Sequence, residues 1–124
     1  MPLVRISVPA HLSTEKVRVL ADAVHAALVQ ACNVPVNDRF QLISRFADDD
    51  RIIDPTFPNV DRTADASIVE ITLLEGHDDS RKRLLYREIA LGAAAGGFST
   101  DDIFVALLEN VRVDWSPGRG IAYG

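Results

Sequence analysis

The first 46 residues show two hydrophobic periods in succession. In LVRISV the apolar residues Val4, Ile6 and Val8 alternate with a more polar set, which predicts a strand with one buried face. From Ser13 to Cys32 apolar residues recur every three or four positions, which predicts an amphipathic helix. Ser13 or Thr14 caps its start. After the helix, RFQLISRF predicts a second strand, so the chain begins with a β-α-β unit.

The same order of elements returns in the second half, after a loop over residues 47–66 with room for one short element. IVEITLL predicts a strand, SRKRLLYREIALGAAA a helix capped by Ser80 and closed by Gly96 and Gly97, and DIFVALLEN a further strand. Residues that are the same at corresponding positions of the two halves support an internal repeat. They are the pairs His11 and His77, Lys16 and Lys82, Asp38 and Asp102, and Phe40 and Phe104. We therefore predict one domain over residues 1–124, with pseudo-repeats at about 2–46 and 67–110.

Two β-α-β units with right-handed crossovers place both helices on one side of a sheet. The predicted fold class is α+β, a duplicated β-α-β unit that forms a four-stranded mixed sheet with two helices on one face. The other sheet face carries a mixed set of side chains: Leu3, Arg5, Ser7, Glu70 and Thr72. Either solvent or a neighbouring subunit can cover such a face, and the thin two-layer core favours a subunit.

Composition narrows the class of protein. A net charge of −5 argues against a nucleic-acid partner, which needs a concentrated basic surface. The apolar runs are too short for a bilayer, and the N-terminus lacks the pattern of a secretory signal, so we expect a cytoplasmic protein with no membrane partner. The lone Cys32 forms no internal disulfide and is interpreted as a small core residue.

Pro2 raises a chemical question because it directly follows the initiator methionine. A proline at the first position of a strand loses no ladder hydrogen bond, which is a sufficient structural explanation. Initiator methionine is usually removed before a small residue, however, and removal would leave Pro2 with a free secondary amine. An α-amino group titrates near about 7.7–8.0, and an amine with a pKa near neutrality is an effective general base.

Three features carry a resemblance to a known family: Pro2 at the head of a strand, VPVNDRFQ after the first helix, and DWSPGRG near the end. Together with the duplicated β-α-β unit, they resemble the tautomerase superfamily, closest to its malonate semialdehyde decarboxylase-like branch. The resemblance implies the homotrimeric tautomerase fold, with Pro2 at the base of a pocket near a subunit boundary. It also implies that Asp38 lies near the proline nitrogen and that Trp115 forms part of the pocket wall.

The sequence departs from the decarboxylase at two positions. After its third strand that enzyme carries two arginines separated by one residue, which bind the substrate, and those positions here are Glu75 and His77. Loss of both arginines lowers the expectation of decarboxylation. Candidates for holding an anionic substrate are Arg39, Arg119 and His77.

The sequence thus predicts a cofactor-independent tautomerase that acts on a small 2-oxo or 2-hydroxyalkenoic acid, with Pro2 as base. Asp38 would favour the protonated amine, so a decarboxylase or hydratase with Pro2 as general acid is an alternative. A trimeric binding protein without turnover is another. Asp38 and Arg39 also have structural explanations, as a turn cap and a subunit contact. No metal site is expected, because the three histidines lack ligand spacing.

Overall fold

The computed structural model describes all 124 residues. Four strands and two α-helices follow one another in the predicted order, and short 3-10 turns connect them. They are β1 (Pro2–Pro9), α1 (Thr14–Cys32), β2 (Gln41–Phe46), β3 (Ser67–Leu74), α2 (Asp79–Ala95) and β4 (Ile103–Asn110), with 3-10 turns at Asp48–Asp50, Thr100–Asp102 and Arg112–Asp114. The long loop between β2 and β3 contains one such turn, as predicted.

The four strands form one mixed sheet in the order β2-β1-β3-β4. Each β-α-β unit contributes a parallel pair, β1 with β2 and β3 with β4, and the two units join through the antiparallel pair of β1 and β3. Pro2 lies opposite Leu73, and Ser7 lies opposite Ile68. The first strands of the two units therefore begin at opposite ends of the sheet, and the predicted fold class is confirmed.

The helix starts show one correct and one wrong prediction. Ser13 caps α1, and its hydroxyl accepts a hydrogen bond from the amide of Lys16 at 3.1 Å. Ser80 does not cap α2. The cap is Asp78, whose extended backbone places its carboxylate 2.9 Å from the amide of Arg81, while Ser80 lies inside the first turn.

The core lies between one face of the sheet and the two helices. Its strand residues are Val4, Ile6 and Val8 from β1 and Val69, Ile71 and Leu73 from β3, and its helix residues include Leu20, Val24, Leu28, Leu85, Ile89 and Ala93. The helices approach each other so closely that a Cβ at Gly96 would lie 2.0 Å from Val19 Cγ1. Gly96 is therefore required for helix packing, and Gly97, with a φ of 98°, follows it at the end of α2.

The opposite face of the sheet is open in the single chain. Its apolar side chains include Leu42 on β2 and Phe104 and Leu108 on β4, which are 53%, 47% and 68% exposed. β2 begins at Gln41, later than predicted, because Arg39 and Phe40 belong to the segment that leads out of a turn at Pro35–Asp38. Neither helix combines the length and the apolar composition needed to cross a membrane.

Candidate functional site

The start of β1 brings together the chain's amine, a buried proline and a carboxylate. Pro2 is buried and pairs with Leu73 as the first residue of the strand. The amine of Met1 lies 2.9 Å from Asp38 Oδ2, and both side chains are largely shielded, 10% and 17% exposed. The other carboxylate oxygen, Asp38 Oδ1, is buried and has no hydrogen-bond partner. Asp38 therefore holds an amine and keeps one acceptor free.

The segment that carries Asp38 is fixed from several directions. The amide of Asp38 donates to Pro35 O at 2.9 Å, and the amide of Val4 donates to Phe40 O at the same distance. His25, on the buried face of α1, places Nε2 2.7 Å from Val36 O. His25 was not singled out from the sequence. A histidine among the apolar positions of a helix was the available signal, since a buried imidazole needs a polar partner.

His77 lies in the loop between β3 and α2, at the same end of the sheet as Pro2. Its Nε2 is 3.3 Å from Cys32 O, and Arg81 donates to Ala31 O at 3.3 Å, so both side chains contact the final carbonyls of α1. The carbonyl partner places the proton of a neutral ring on Nε2. His77 Nδ1 is buried without a partner and carries a proton only when the ring is charged.

Cys32 is buried beside this contact, as expected of a core residue. Burial raises the pKa of its thiol, and the charge of Arg81 opposes that effect only in part. The thiol therefore stays protonated at neutral pH, which disfavours a nucleophilic role.

Trp115 is anchored at the Pro2 end of the sheet as well. Its indole nitrogen donates to Asn110 Oδ1 at 2.5 Å. Asn110 pairs with Leu74, the neighbour of the residue opposite Pro2. The C-terminal segment folds back onto this anchor, because the amide of Tyr123 donates to Trp115 O at 2.8 Å.

The two arginines predicted to hold an anion differ in their surroundings. Arg39 is already engaged, since its guanidinium donates to Asp22 at 2.7 Å and to Gln41 at 3.0 Å. Arg119 is exposed in a turn with a φ of 61°. The structure therefore brings Pro2, Asp38, His77 and Trp115 to one end of the sheet, while Arg39 is occupied by another carboxylate.

A further arginine, Arg112, was missed by the sequence interpretation because it belongs to none of the quoted motifs. It lines a cavity of about 310 Å³ together with Leu74, Glu75, Asn110 and Val111. Its guanidinium lies 4.9 Å from the centre of the Tyr123 ring. A cation held by stacking at the Pro2 end of the sheet is suited to attracting a carboxylate, although Glu75 in the same cavity reduces that attraction.

These groups are suited to moving a proton rather than to forming a covalent bond. An amine paired with a carboxylate supplies a proton donor and acceptor, and the charged form of His77 supplies a donor for an anion. The Cys32 thiol is buried and protonated, so it does not serve as a nucleophile here.

Comparison with known proteins agrees with this geometry. Two family models described as tautomerase enzymes match residues 2–59 and residues 38–118. The chain is 31% identical to the probable tautomerase YusQ of Bacillus subtilis (strain 168), over 98% of this chain and 97% of the relative. Among solved structures, FG41 malonate semialdehyde decarboxylase inhibited by 3-bromopropiolate superposes with a TM-score of 0.90 at 32% identity, covering 96% of this chain and 91% of the other. A fused 4-OT symmetric trimer superposes with a TM-score of 0.80 at 19% identity, over 98% of this chain and 95% of the other, which is a likeness of fold.

Proposed function

The chain belongs to the tautomerase superfamily, and we propose that it is a cofactor-independent tautomerase that uses the amine of Pro2, freed by removal of Met1, as its general base. Its substrate would be a small 2-oxo or 2-hydroxyalkenoic acid. The reaction would take a proton from an enol hydroxyl or from carbon next to a carbonyl and return it to a neighbouring carbon.

The observation that carries this proposal is the contact between the chain's amine and Asp38 at the head of β1. Removal of Met1 shifts the amine by one residue, onto a proline that is already buried at the start of the strand. Asp38 Oδ1, buried and without a partner, then supplies an acceptor for the N–H of a protonated Pro2. Burial of the amine favours its neutral form and Asp38 favours its charged form, so the balance sets its pKa.

The carboxylate of the substrate needs a cation or a hydrogen-bond donor close to the amine. We propose that His77, Arg112 and Arg119 supply it, with Trp115 as an apolar wall. Arg39 contributes only if it gives up its contact with Asp22. Because His77 already uses Nε2 on Cys32 O, the charged ring would offer Nδ1–H to the substrate.

A decarboxylase or hydratase reaction is the second candidate, favoured by the contact with Asp38. A carboxylate beside the amine stabilises prolinium, which is a general acid rather than a base. The solved decarboxylase is also 32% identical to this chain. Against it, the loop that follows β3 carries Glu75 and His77, so a permanent positive charge is missing from both positions.

We further propose that three copies assemble through the open sheet face. Leu42, Phe104 and Leu108 are exposed there in the single chain, and burying them would supply apolar area that the two-layer core lacks. Sedimentation at micromolar concentration should show a trimer, and a stable monomer would contradict this assembly. A trimer without turnover would instead support the binding-protein alternative.

The experiment that tests the proposed activity begins with the intact mass of the purified protein. We expect loss of Met1, followed by ketonisation of phenylenolpyruvate by the wild type. Pro2→Ala leaves a primary amine and should reduce kcat/KM by about a hundredfold, within the usual range for a general base. Circular dichroism of Pro2→Ala, compared with that of the wild type, is the control for folding. Retained Met1, or equal turnover in wild type and Pro2→Ala, would exclude Pro2 as the base.

A further inference from the structure

The start of β3 lies at the end of the sheet opposite Pro2. Ile68 pairs with Ser7, five steps along β1 from Pro2, so at about 3.4 Å per residue these two positions are about 17 Å apart along the strand. A cavity of about 280 Å³ opens there. Its lining residues are Asp48, Arg51, Ile53, Pro55, Arg62, Thr63, Ala64 and Ala66. Nothing in the proposed tautomerase mechanism uses this cavity.

Two guanidinium groups line this cavity, and backbone carbonyls fix both of them. Arg51 donates to Ala66 O at 2.7 Å, and Arg62 donates to Asp54 O at 2.8 Å and to Phe57 O at 2.5 Å. Arg62 Nε is buried without any hydrogen-bond partner. Neither arginine is among the residues that form ion pairs.

Three carboxylates around the cavity have hydrogen-bond partners of their own. Asp65 contacts Lys16 and His11, and both oxygens of Asp102 accept hydrogen bonds from Thr63. Asp54 accepts from the amides of Phe57 and Thr56, which lower its pKa, although its charge still acts on Arg62.

Asp48 also lines the cavity, and it is exposed to solvent, as are Asp49, Asp50 and Asp61 beside the two arginines. Water screens exposed charges, so these carboxylates weaken the attraction for an anion, whereas the two guanidinium groups are held at the cavity wall.

We propose that this cavity is a second binding site, distinct from Pro2, for a small organic carboxylate. Guanidinium groups match the geometry of a carboxylate, and those of Arg51 and Arg62 both line the cavity without an ion-pair partner of their own. Ile53, Pro55 and Ala66 give the cavity apolar walls, which favours an organic anion over phosphate. The residues that line this cavity lie in the middle of the chain, so they include no free α-amine. The site therefore binds its ligand without the proton transfer proposed for Pro2.

Malonate is the probe, and the readout is the Nε–Hε resonances of the arginines in an ¹H–¹⁵N spectrum of the whole protein. The Arg62 resonance should move saturably as a carboxylate binds beside its guanidinium. Arg51→Gln should weaken binding by about tenfold, since one hydrogen-bonded charge is lost. Asp48→Asn should strengthen binding, because it removes the opposing charge. Arg18→Gln, on the exposed face of α1, is the matched control and should change nothing.

Three results would overturn the assignment. The first is an Arg62 resonance that stays unmoved at millimolar malonate in the wild type, a measurement that needs no variant to fold. The second is equal malonate affinity in wild type and a folded Arg51→Gln. The third is inorganic phosphate binding as tightly as malonate, which would indicate a general anion site. Turnover of phenylenolpyruvate by Arg51→Gln should equal that of the wild type, so failure here is separable from failure of the Pro2 mechanism.

Discussion

The two β-α-β units place an aspartate ahead of their second strands, and the two aspartates have opposite surroundings. Asp102 is 1% exposed, and Thr63 satisfies both of its oxygens, through the amide at 2.7 Å and the hydroxyl at 2.5 Å. Asp38 contacts only the amine of Met1, and its second oxygen is buried and free. The carboxylate of the second unit is committed to holding a loop, whereas that of the first remains available for chemistry.

The histidines that precede the two helices differ in the same way. His11 is about half exposed and contacts Asp65 at 2.8 Å. His77 contacts a helix-end carbonyl and keeps Nδ1 buried and unpartnered. In each comparison the residue at the Pro2 end of the sheet retains an unsatisfied polar atom. Buried polar atoms without partners are costly, so these two support the proposed binding of a substrate at that end.

Asp102→Ala should give the largest change in stability. It removes two hydrogen bonds to a buried charge and leaves the Thr63 amide without an acceptor, so we expect the free energy of unfolding to fall by about 3 kcal/mol. Urea denaturation measures this loss. Turnover per folded molecule should not change, and a fall in kcat/KM larger than the fall in folded fraction would show that the two units are not separable.

Asp38→Asn should have a large effect on activity and a small effect on stability, the opposite of Asp102→Ala. Asparagine keeps the shape but loses the charge that stabilises prolinium, so kcat/KM should fall by about tenfold to a hundredfold. Unfolding free energy should change by about 1 kcal/mol or less, because one oxygen of Asp38 has no partner to lose. Steady-state kinetics and urea denaturation on the same preparation measure both. A stability loss equal to that of Asp102→Ala would make Asp38 a structural residue.

His77→Gln tests whether the free Nδ1 binds the substrate. Glutamine can still donate to Cys32 O but offers the substrate no ring N–H, so KM for an anionic enol should rise several-fold in His77→Gln while kcat changes little. Steady-state kinetics measure both constants. His11→Gln is the matched control from the other unit and should leave KM unchanged. Equal KM in wild type and His77→Gln would remove His77 from the site.

The fold could be predicted because its signals are local. The change of the hydrophobic period from two residues to 3.6 predicted which segments are strands and which are helices, and the order of these elements predicted the sheet. Ser80 was misassigned because a neighbouring Asp78 also has a capping side chain, and backbone geometry decides between them. Likewise β2 starts at Gln41 because a turn hydrogen bond at Asp38 delays the strand.

The site could be predicted only in part, because much of it depends on contacts between distant segments. The motifs predicted Pro2, Asp38 and Trp115 as candidates, and the structure places all three at one end of the sheet. His25 and Arg112 acquire their positions from a loop carbonyl and a stacked ring, neither of which has a sequence pattern. Arg39 stands beside Asp38 in the sequence, yet its side chain contacts Asp22 on a helix.

The smallest expected effect concerns the lysines of the two helices. Lys16, followed by His11, lowers the pKa of Asp65 through hydrogen bonds. A depressed carboxyl pKa adds stability above the unfolded pKa, and this stability is lost as pH falls through the folded value. In Asp65→Asn the free energy of unfolding should therefore depend less on pH in the acidic range. Because Asp65 is 29% exposed, the change should not exceed about 1 kcal/mol. Thermal unfolding between pH 7 and strongly acidic pH measures it.

Lys82, in the second helix, makes the contrasting ion pair. Its hydrogen bond to Glu109 raises the pKa of the lysine. A raised lysine pKa adds stability below the unfolded pKa, which is lost as pH rises through the folded value. In Lys82→Gln the free energy of unfolding should therefore depend less on pH in the alkaline range and nearly as before in the acidic range. This is the reverse of the effect expected for Asp65→Asn. If the two variants lost the same unfolding free energy in acid, the pair between Lys16 and Asp65 would have no distinct role. The two units would then differ at their strand starts but not along their helices.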